Sequence, residues 1–373
     1  MSVSSVRCAL STPRKQTFLE RWFPMPGFLA PETAGVDISD SSVKWLSFIP
    51  GRHGLEVRRF AQATLEPGIV VEGIVQSPER LSAALVALQK EAKGTPAAHG
   101  ALPEELGFVF TMHVGDARMR EQVLKVIEFE LEDRVPLKVN QAVYDYDIIL
   151  PHPDGIGAEI GVTVFPTQVA EGYAAAFEGA GIALHSLEME ASSVARSVLP
   201  PNSKDVVLVV DFGRARTGIA IMNRGVPIFT STVAVGGDAM TKALVEQMGV
   251  DEVKAEEIKN EQGISRSSDP KVITAVQKTA DALASEIARH YEYWDTRRNE
   301  HGNKVTPVSQ ILLTGGSANL KGLDEFIAGK AKAPTIRAGV WQNVCSFEEY
   351  IPPIDRHHAL GLSTAIGLAL RGA

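Results

Sequence analysis

Val206-Val207-Leu208-Val209-Val210-Asp211-Phe212-Gly213-Arg214-Ala215-Arg216-Thr217 is the stretch on which the fold turns. Its five-residue apolar run has the length and β-branched content of a buried strand, and an acidic residue closes it before a turn. Residues 217–222 read as a second strand, Asn223-Arg224-Gly225 as a turn, and 226–234 as a third strand. The same order stands earlier in the chain. Gly35-Val36-Asp37-Ile38-Ser39 reads as a strand, 42–48 as its neighbour, 50–54 as a Pro/Gly turn, and 55–65 as a third strand. Asp37 and Asp211 stand 174 residues apart at matching points of the two meanders. An internal duplication with insertions is the natural reading.

Working outward, residues 77–92 carry Pro78 in a first helical turn and Leu81, Leu85 and Leu88 on one face. Residues 94–100 read as a surface loop and 107–112 as a short strand. Residues 114–183 form a distinct block. Asp116 can cap a helix running to Arg134, with Met119, Val123, Ile127 and Leu131 four apart and Pro136 as its stop. Strands at 142–150 and 159–165 and a helix at 168–180 follow, which predicts a small inserted subdomain of helix–strand–strand–helix order. Beyond the second meander, helices are predicted at 238–248, 251–261 and 270–298. A strand at 310–314 then runs into Gly315-Gly316, and a terminal helix covers 359–370. The predicted organisation is an extension (1–33), a first domain (34–203) holding the insertion, and a second domain (204–373), in the α/β class.

Composition bounds the function. The chain has 373 residues, 45% apolar, 22% charged, with a formal charge of −8. That length suits about two domains, and the charge argues against binding nucleic acid by phosphate neutralisation. No apolar run approaches the roughly 20 residues of a membrane-spanning helix. Cys8 and Cys345 have no metal-ligand spacing and form no disulfide framework, which fits a reducing compartment. The first 30 residues lack the apolar core of a signal peptide. Their aromatic stretch from Phe18 to Leu29 has three open readings: packing on its own domain, docking on a partner, or meeting a membrane surface.

Four segments together fit a nucleotide. Asp37-Ile38-Ser39-Asp40-Ser41-Ser42-Val43-Lys44 and Asp211–Thr217 are tight turns between strands, whose backbone N–H groups and small residues suit phosphate oxygens. Ser39, Ser41, Ser42, Lys44, Gly213 and Thr217 are the candidate contacts there. Asp37 and Asp211, facing each other across a cleft, would hold Mg²⁺ through water, since this ion keeps its hydration shell. In Ala255-Glu256-Glu257-Ile258-Lys259, Glu256 and Lys259 share a helix face that could reach ribose hydroxyls and an adenine edge. Leu313-Thr314-Gly315-Gly316-Ser317 is a strand-to-helix turn where a base or ribose can lie on bare backbone at Gly315, Gly316 and Ser317. Gly237, at the start of a helix, completes the set.

On these residues the chain, from about residue 30 onward, resembles the actin-like ATPase superfamily, which includes actin, hexokinase-type sugar kinases and the division protein FtsA. The resemblance implies two ribonuclease H-like domains related by duplication. Glu128-Phe129-Glu130-Leu131-Glu132-Asp133-Arg134-Val135-Pro136-Leu137, Val143-Tyr144-Asp145-Tyr146 and Ala365-Ile366-Gly367-Leu368-Ala369-Leu370-Arg371 are similar to the PilM family of type IV pilus assembly proteins. The insertion sits where FtsA and PilM place a subdomain that actin lacks. This implies ATP binding and a complex with the cytoplasmic N-terminal tail of a PilN-like inner-membrane protein. It also implies a link to motor ATPases and a cytoplasmic location peripheral to the inner membrane, while the oligomeric state stays open, homo-oligomers formed with partners among the readings. The partner peptide would lie near the insertion, where strand 143–148 can pair with an extended chain.

The sequence departs from the superfamily at three points. Ser39 replaces a usual Gly, and Arg214 and Arg216 stand where small or hydroxyl residues are usual. The arginines either bring charge to a phosphate or project into solvent. Hydrolysis needs a residue that orients water, expected just before the second half. Glu188 and Glu190 are the candidates, Glu188 preferred, and the balance favours ATP binding over turnover. An FtsA-like polymer-forming adaptor is the alternative, although the chain stops directly after an apolar helix. A small-molecule kinase would need an aspartate base, for which no signature is present. Glu128, Glu130, Glu132 and Asp133 read as solvated charge, His357-His358 as a loop or cap, and Cys345 as a small core residue. No G-x-x-x-x-G-K-[ST] loop is present.

Overall fold

The first meander folds as β1 (Ala34–Ile38), β2 (Ser42–Gly51) and β3 (Gly54–Thr64). The computed structural model describes residues 32–52, 54–115, 119–151, 157–298, 302 and 304–373. The aromatic stretch 18–29, Cys8 and Asp116 lie outside the described residues. The three strands are antiparallel, and Asp37 pairs with Lys44 across β1 and β2. A short hairpin, β4 (Val70–Val71) and β5 (Ile74–Val75), leads to α1 (Pro78–Ala92), where the Ser77 side chain caps the helix by accepting from Arg80 N. Leu81, Leu85 and Leu88 on α1 are fully buried, each contributing about 1.5–3 kcal/mol. β6 (Ala97–Leu102) then lies parallel to β1.

The insertion comprises β7 (Phe108–Val114), α2 (Arg120–Arg134), β8 (Ala142–Pro151) and β9 (Ala158–Pro166). Its sheet order is β7-β9-β8, and Ile127 and Leu131 of α2 pack on Ile160, Val162 and Val164. The predicted block 114–183 therefore shifts: β7 joins it, and α3 (Thr167–Gly179) leaves it. The reason is the apolar face of α3, whose Ala176 carbonyl accepts from Ser82 Oγ of α1 at 2.8 Å. Met119 also departs from the predicted stripe. It caps α2 and is 58% exposed. β10 (Ala183–Met189) returns to the main sheet beside β6 and feeds α4 (Glu190–Val198), giving the order β10-β6-β1-β2-β3.

The second meander repeats this plan. β11 (Val206–Phe212), β12 (Thr217–Asn223) and β13 (Val226–Val233) are antiparallel. Three helices follow: α5 (Gly237–Met248), α6 (Glu252–Glu261), capped by Asp251, and α7 (Pro270–Thr296). β14 (Ile311–Thr314) lies parallel to β11, and α8 (Leu323–Ala331) and β15 (Thr335–Arg337) complete the sheet. The order β13-β12-β11-β14-β15 matches the first sheet position for position, so Asp37 and Asp211 are each the penultimate residue of a central strand. The fold is a duplicated α/β, ribonuclease H-like architecture.

The predicted terminal helix is broken into α9 (Arg356–Leu360) and α10 (Ser363–Arg371). Two compact units result. One is the chain up to Pro201 with Trp341–Pro353 and Thr364–Ala373; the other is Asn202–Val340 with Ile354–Ser363. A division at 203/204 therefore does not hold for the C-terminal segments. A Cβ on Gly35 of β1 would overlap Ala365 O and stand 2.6 Å from Ala369 N, so α10 packs backbone-close on the first sheet. Asn343 Nδ2 likewise donates to Arg196 O and Leu199 O at the end of α4.

Candidate functional site

In the first unit, the turn between β1 and β2 is closed by its own serines. Ser39 N and Oγ donate to Ser42 O at 2.8 and 3.2 Å, and Ser42 N donates back to Ser39 Oγ at 3.2 Å. Ser41 O accepts from Leu65 N at 2.9 Å. Lys44 Nζ donates to Asp37 Oδ2 at 2.8 Å, and Asp37 is buried. Opposite charges on paired strands thus sit at the mouth of the turn. Asp40, not singled out in the sequence, anchors the turn by accepting from Glu72 N and Gly73 N at 3.1 and 2.9 Å.

The two candidate water-orienting carboxylates differ. Glu188 has both oxygens engaged: Arg196 binds it in bidentate fashion at 2.6 and 2.8 Å, and Arg371 binds it too. Glu190 opens α4. Burial first, then Glu104, Asp37 and Glu105, push its carboxyl well above the ordinary value, and it hydrogen-bonds Glu104. Adjacent strand ends bring this about, since Leu102 pairs with Met189. Glu104 was missed in the sequence because only the β6–β10 register places it there.

The Glu188 cluster also flanks His99, whose Nδ1 lies 2.7 Å from Ser186 Oγ. Burial, then Arg371 and His185, lowers this imidazole from 6.5 to about 4. The unfolded chain therefore binds a proton that the folded chain refuses between those values. Stability from this group is complete above about pH 6.5 and falls as the pH drops toward 4, by up to about 3 kcal/mol. Urea unfolding at pH 7, 5.5 and 4 should show that loss in the native chain, and His99→Asn should show a flatter profile; equal slopes would refute this role.

In the second unit, Gly213 N donates to Arg216 O at 3.0 Å, and Gly213 O accepts from Ser317 Oγ at 2.9 Å and Gly237 N at 3.1 Å. This brings Gly213, Gly237 and Ser317 together. Thr217 is fully buried, with its hydroxyl donating to Val235 O at 2.6 Å. Arg214 turns away from the turn, to Asp238 at 2.7 Å and Glu252 at 2.9 Å. Gly315 has φ +87, and a Cβ there would overlap Asp211 Oδ1, so this glycine gives the carboxylate its room. A Cβ on Gly316 would meet nothing nearer than Gly361 Cα at 4.0 Å. The turn rests on α9 through Asn319, which donates to Gly316 O and His357 O.

Glu256 and Lys259 are not a solvated pair. Lys259 is 2% exposed, and its Nζ donates to Glu256 Oε2 at 2.6 Å and Thr241 Oγ1 at 2.9 Å. Burial works against the Glu256 carboxylate, but Lys259, Thr241 and Asn260 outweigh it and hold its pKa below the ordinary value. Glu256 remains half-exposed, so it is the member of the pair able to meet a ligand. Thr241 was missed in the sequence, although it stands one turn after Gly237. His358 is bonded to Asp355, which caps α9 by accepting from His357 N and His358 N. Among the described residues no three His, Cys, Asp or Glu side chains gather to hold a metal directly.

A family model described as type IV pilus assembly protein PilM matches residues 35–373. The solved PilM-PilN type IV pilus biogenesis complex is similar at a TM-score of 0.73 and 20% identity, covering 91% of this chain and 98% of that one. MreB5 of Spiroplasma citri bound to ADP is similar at a TM-score of 0.51 and 12% identity, covering 92% and 96%. FtsA of Neisseria meningitidis serogroup B is 28% identical over 209 residues, 51% of this chain. That match spans 49% of the FtsA chain, about half the length of this curated relative. With the duplicated sheet order and a PilM match running through both halves, the chain belongs to the PilM family of type IV pilus assembly proteins.

Proposed function

We propose that this protein is an ATP-binding assembly component of the type IV pilus machinery that docks the N-terminal tail of a PilN-like membrane protein at the cytoplasmic face of the inner membrane. The observation that carries the nucleotide half is the pair of equivalent strand ends. Asp37 beside Lys44 and Asp211 beside Gly315 occupy matching positions in the two sheets, where ligands of open α/β folds collect. The fold-mate MreB5 bound to ADP supports that reading. Asp37 and Asp211 would hold Mg²⁺ through water, and the bound ion would offset phosphate charge. Gly213, Gly237 and Ser317 would line the phosphate side, with Gly316 offering open backbone and Lys259 fixing Glu256 toward a ribose. Of the two carboxylates, Glu190 suits water orientation and Glu188 suits a structural clamp. Burial and the neighbouring carboxylates disfavour the ionised form of Glu190 that a base needs, in keeping with binding without appreciable turnover.

The PilN half rests on the likeness to the PilM-PilN complex and on β8. That strand lies at an edge of the insertion's sheet, with Ile148 and Leu150 exposed, and an extended peptide can add to such an edge. No helix among the described residues is long and apolar enough to cross a membrane; the PilN-like partner would tie the complex to the membrane. Calorimetric titration with Mg-ATP and with a synthetic PilN tail peptide tests both halves. Both ligands should bind, and Asp211→Ala should weaken ATP at least tenfold while sparing the peptide. Absence of nucleotide binding in the native chain would sink the first half, and absence of peptide binding the second. The FtsA relative favours a second reading, a polymer-forming adaptor, which ATP-dependent pelleting would reveal.

A further inference from the structure

The second unit holds an arginine to which the nucleotide reading gives no role. Arg214 lies on the turn between β11 and β12, and its guanidinium spans two helices. Nε donates to Asp238 Oδ1 at 2.7 Å, and Nη2 donates to Glu252 Oε1 at 2.9 Å. Asp238 belongs to the first turn of α5 and Glu252 to the first turn of α6. A planar fork suits this task, because it holds two carboxylates in fixed directions where an ammonium acts as a point charge.

The turn and α5 are already joined through their backbones. Gly237 N donates to Gly213 O at 3.1 Å, and Asp238 N donates to Arg214 O at 2.9 Å. A Cβ on Gly236 would stand 2.2 Å from Arg214 O, so no side chain fits between them. α6 is fastened differently. Its buried residues are Ala255, Ile258 and Lys259, and the Thr241 hydroxyl of α5 bonds Glu256 at 2.8 Å and Lys259 at 2.9 Å. Those ties hold the middle of the helix. Arg214 adds a tie on its first turn, at Glu252, with Glu256 one turn further along the same face. The strap therefore runs from the phosphate turn to the helix that presents Glu256.

We propose that Arg214 is a positioning residue for the nucleotide: by strapping α6 to the phosphate turn, it fixes how far Glu256 stands from the phosphates and so sets the preference for a ribonucleotide over its deoxy analogues. The inference rests on the nucleotide reading of this site. A carboxylate accepts from ribose hydroxyls, and a site built to bond a hydroxyl rejects the analogue that lacks it while the acceptor is held in place. Arg214 is 57% exposed and Glu252 69%, so the pair adds little to folding stability. Its effect on binding is therefore separable from damage to the fold.

Calorimetric titration of the full chain with Mg-ATP and with its 2′-deoxy and 3′-deoxy analogues tests this. The native chain should bind ATP at least tenfold more tightly than one or both analogues. Arg214→Met and Glu252→Ala should each weaken ATP at least tenfold and bring the analogues within about threefold of it, with thermal transitions unchanged. Glu252→Ala also separates the strap from a simple charge effect. It removes a negative charge beside the phosphate turn, which by itself would tighten ATP. Arg214→Lys, which keeps the charge but not the fork, should recover only part of the selectivity. A native chain that binds no ATP overturns the nucleotide reading, and this inference with it. ATP binding that is unselective in the native chain, equally selective in Arg214→Met, or tighter in Glu252→Ala overturns the strap alone.

Discussion

Gly315→Ala abolishes nucleotide binding, weakening it at least a hundredfold, while Gly316→Ala leaves it within a few-fold of the native value. That contrast is the expected result of calorimetric titration on the two variants. A methyl group at 315 overlaps Asp211 Oδ1 and stands 2.5 Å from Phe212 O, so the carboxylate or the β11 backbone must move. The residue also sits at φ +87, where an L side chain costs about 1–2 kcal/mol. With overpacking of about 1–3 kcal/mol added, thermal unfolding should shift down as well. Position 316 meets neither obstacle. The neighbouring glycines thus separate loss of the Asp211 site from general damage to the turn. Retained binding in Gly315→Ala would show that Asp211 is not the phosphate-side carboxylate.

Gly367→Ala should be the most destabilising single methyl in the first unit. Replacing a helical glycine by alanine ordinarily gains up to about 1 kcal/mol. Here the Cβ would fall inside the Ser193 carbonyl, with Ser193 Cα at 3.0 Å, where α10 crosses α4. Backbone cannot swing aside as a side chain does, so a loss of about 3 kcal/mol or more is expected. For a unit of this size that corresponds to a fall of roughly 10 °C in Tm. Gly329→Ala on α8 is the control: a Cβ there meets nothing within 4 Å, so stability should hold or rise. Equal Tm values for the two variants would remove the crossing from the account.

The same crossing shows where sequence reading succeeds and stops. The meanders were readable because each is local: strand, turn and strand are neighbours in the chain, and the apolar run ending at Asp211 has one plausible conformation. The duplication followed from repeating that unit. What was not readable depends on register between distant segments. Glu104 meets Glu190 only because β6 pairs with β10, and Thr241 joins Lys259 only because α5 packs on α6. Sequence alone prefers Glu188 to Glu190 as the water-orienting carboxylate, but Arg371, 183 residues downstream, is what clamps Glu188. The insertion's edges slipped for the opposite reason, since α3 has an apolar face that would serve either neighbour.

The return of the last segments to the first unit also governs the order in which the protein can be made. Translation delivers β1 early, but α10, which seats against Gly35 and Gly367's partner Ser193, emerges only after the residues of the second unit. The first unit cannot close while the second is being synthesised, and the second awaits its own residues up to Ser363. Domain-by-domain folding from the N-terminus is therefore unavailable to this chain. Its first sheet must wait on the ribosome with an uncovered apolar surface, an interval in which chaperone capture has the most to offer.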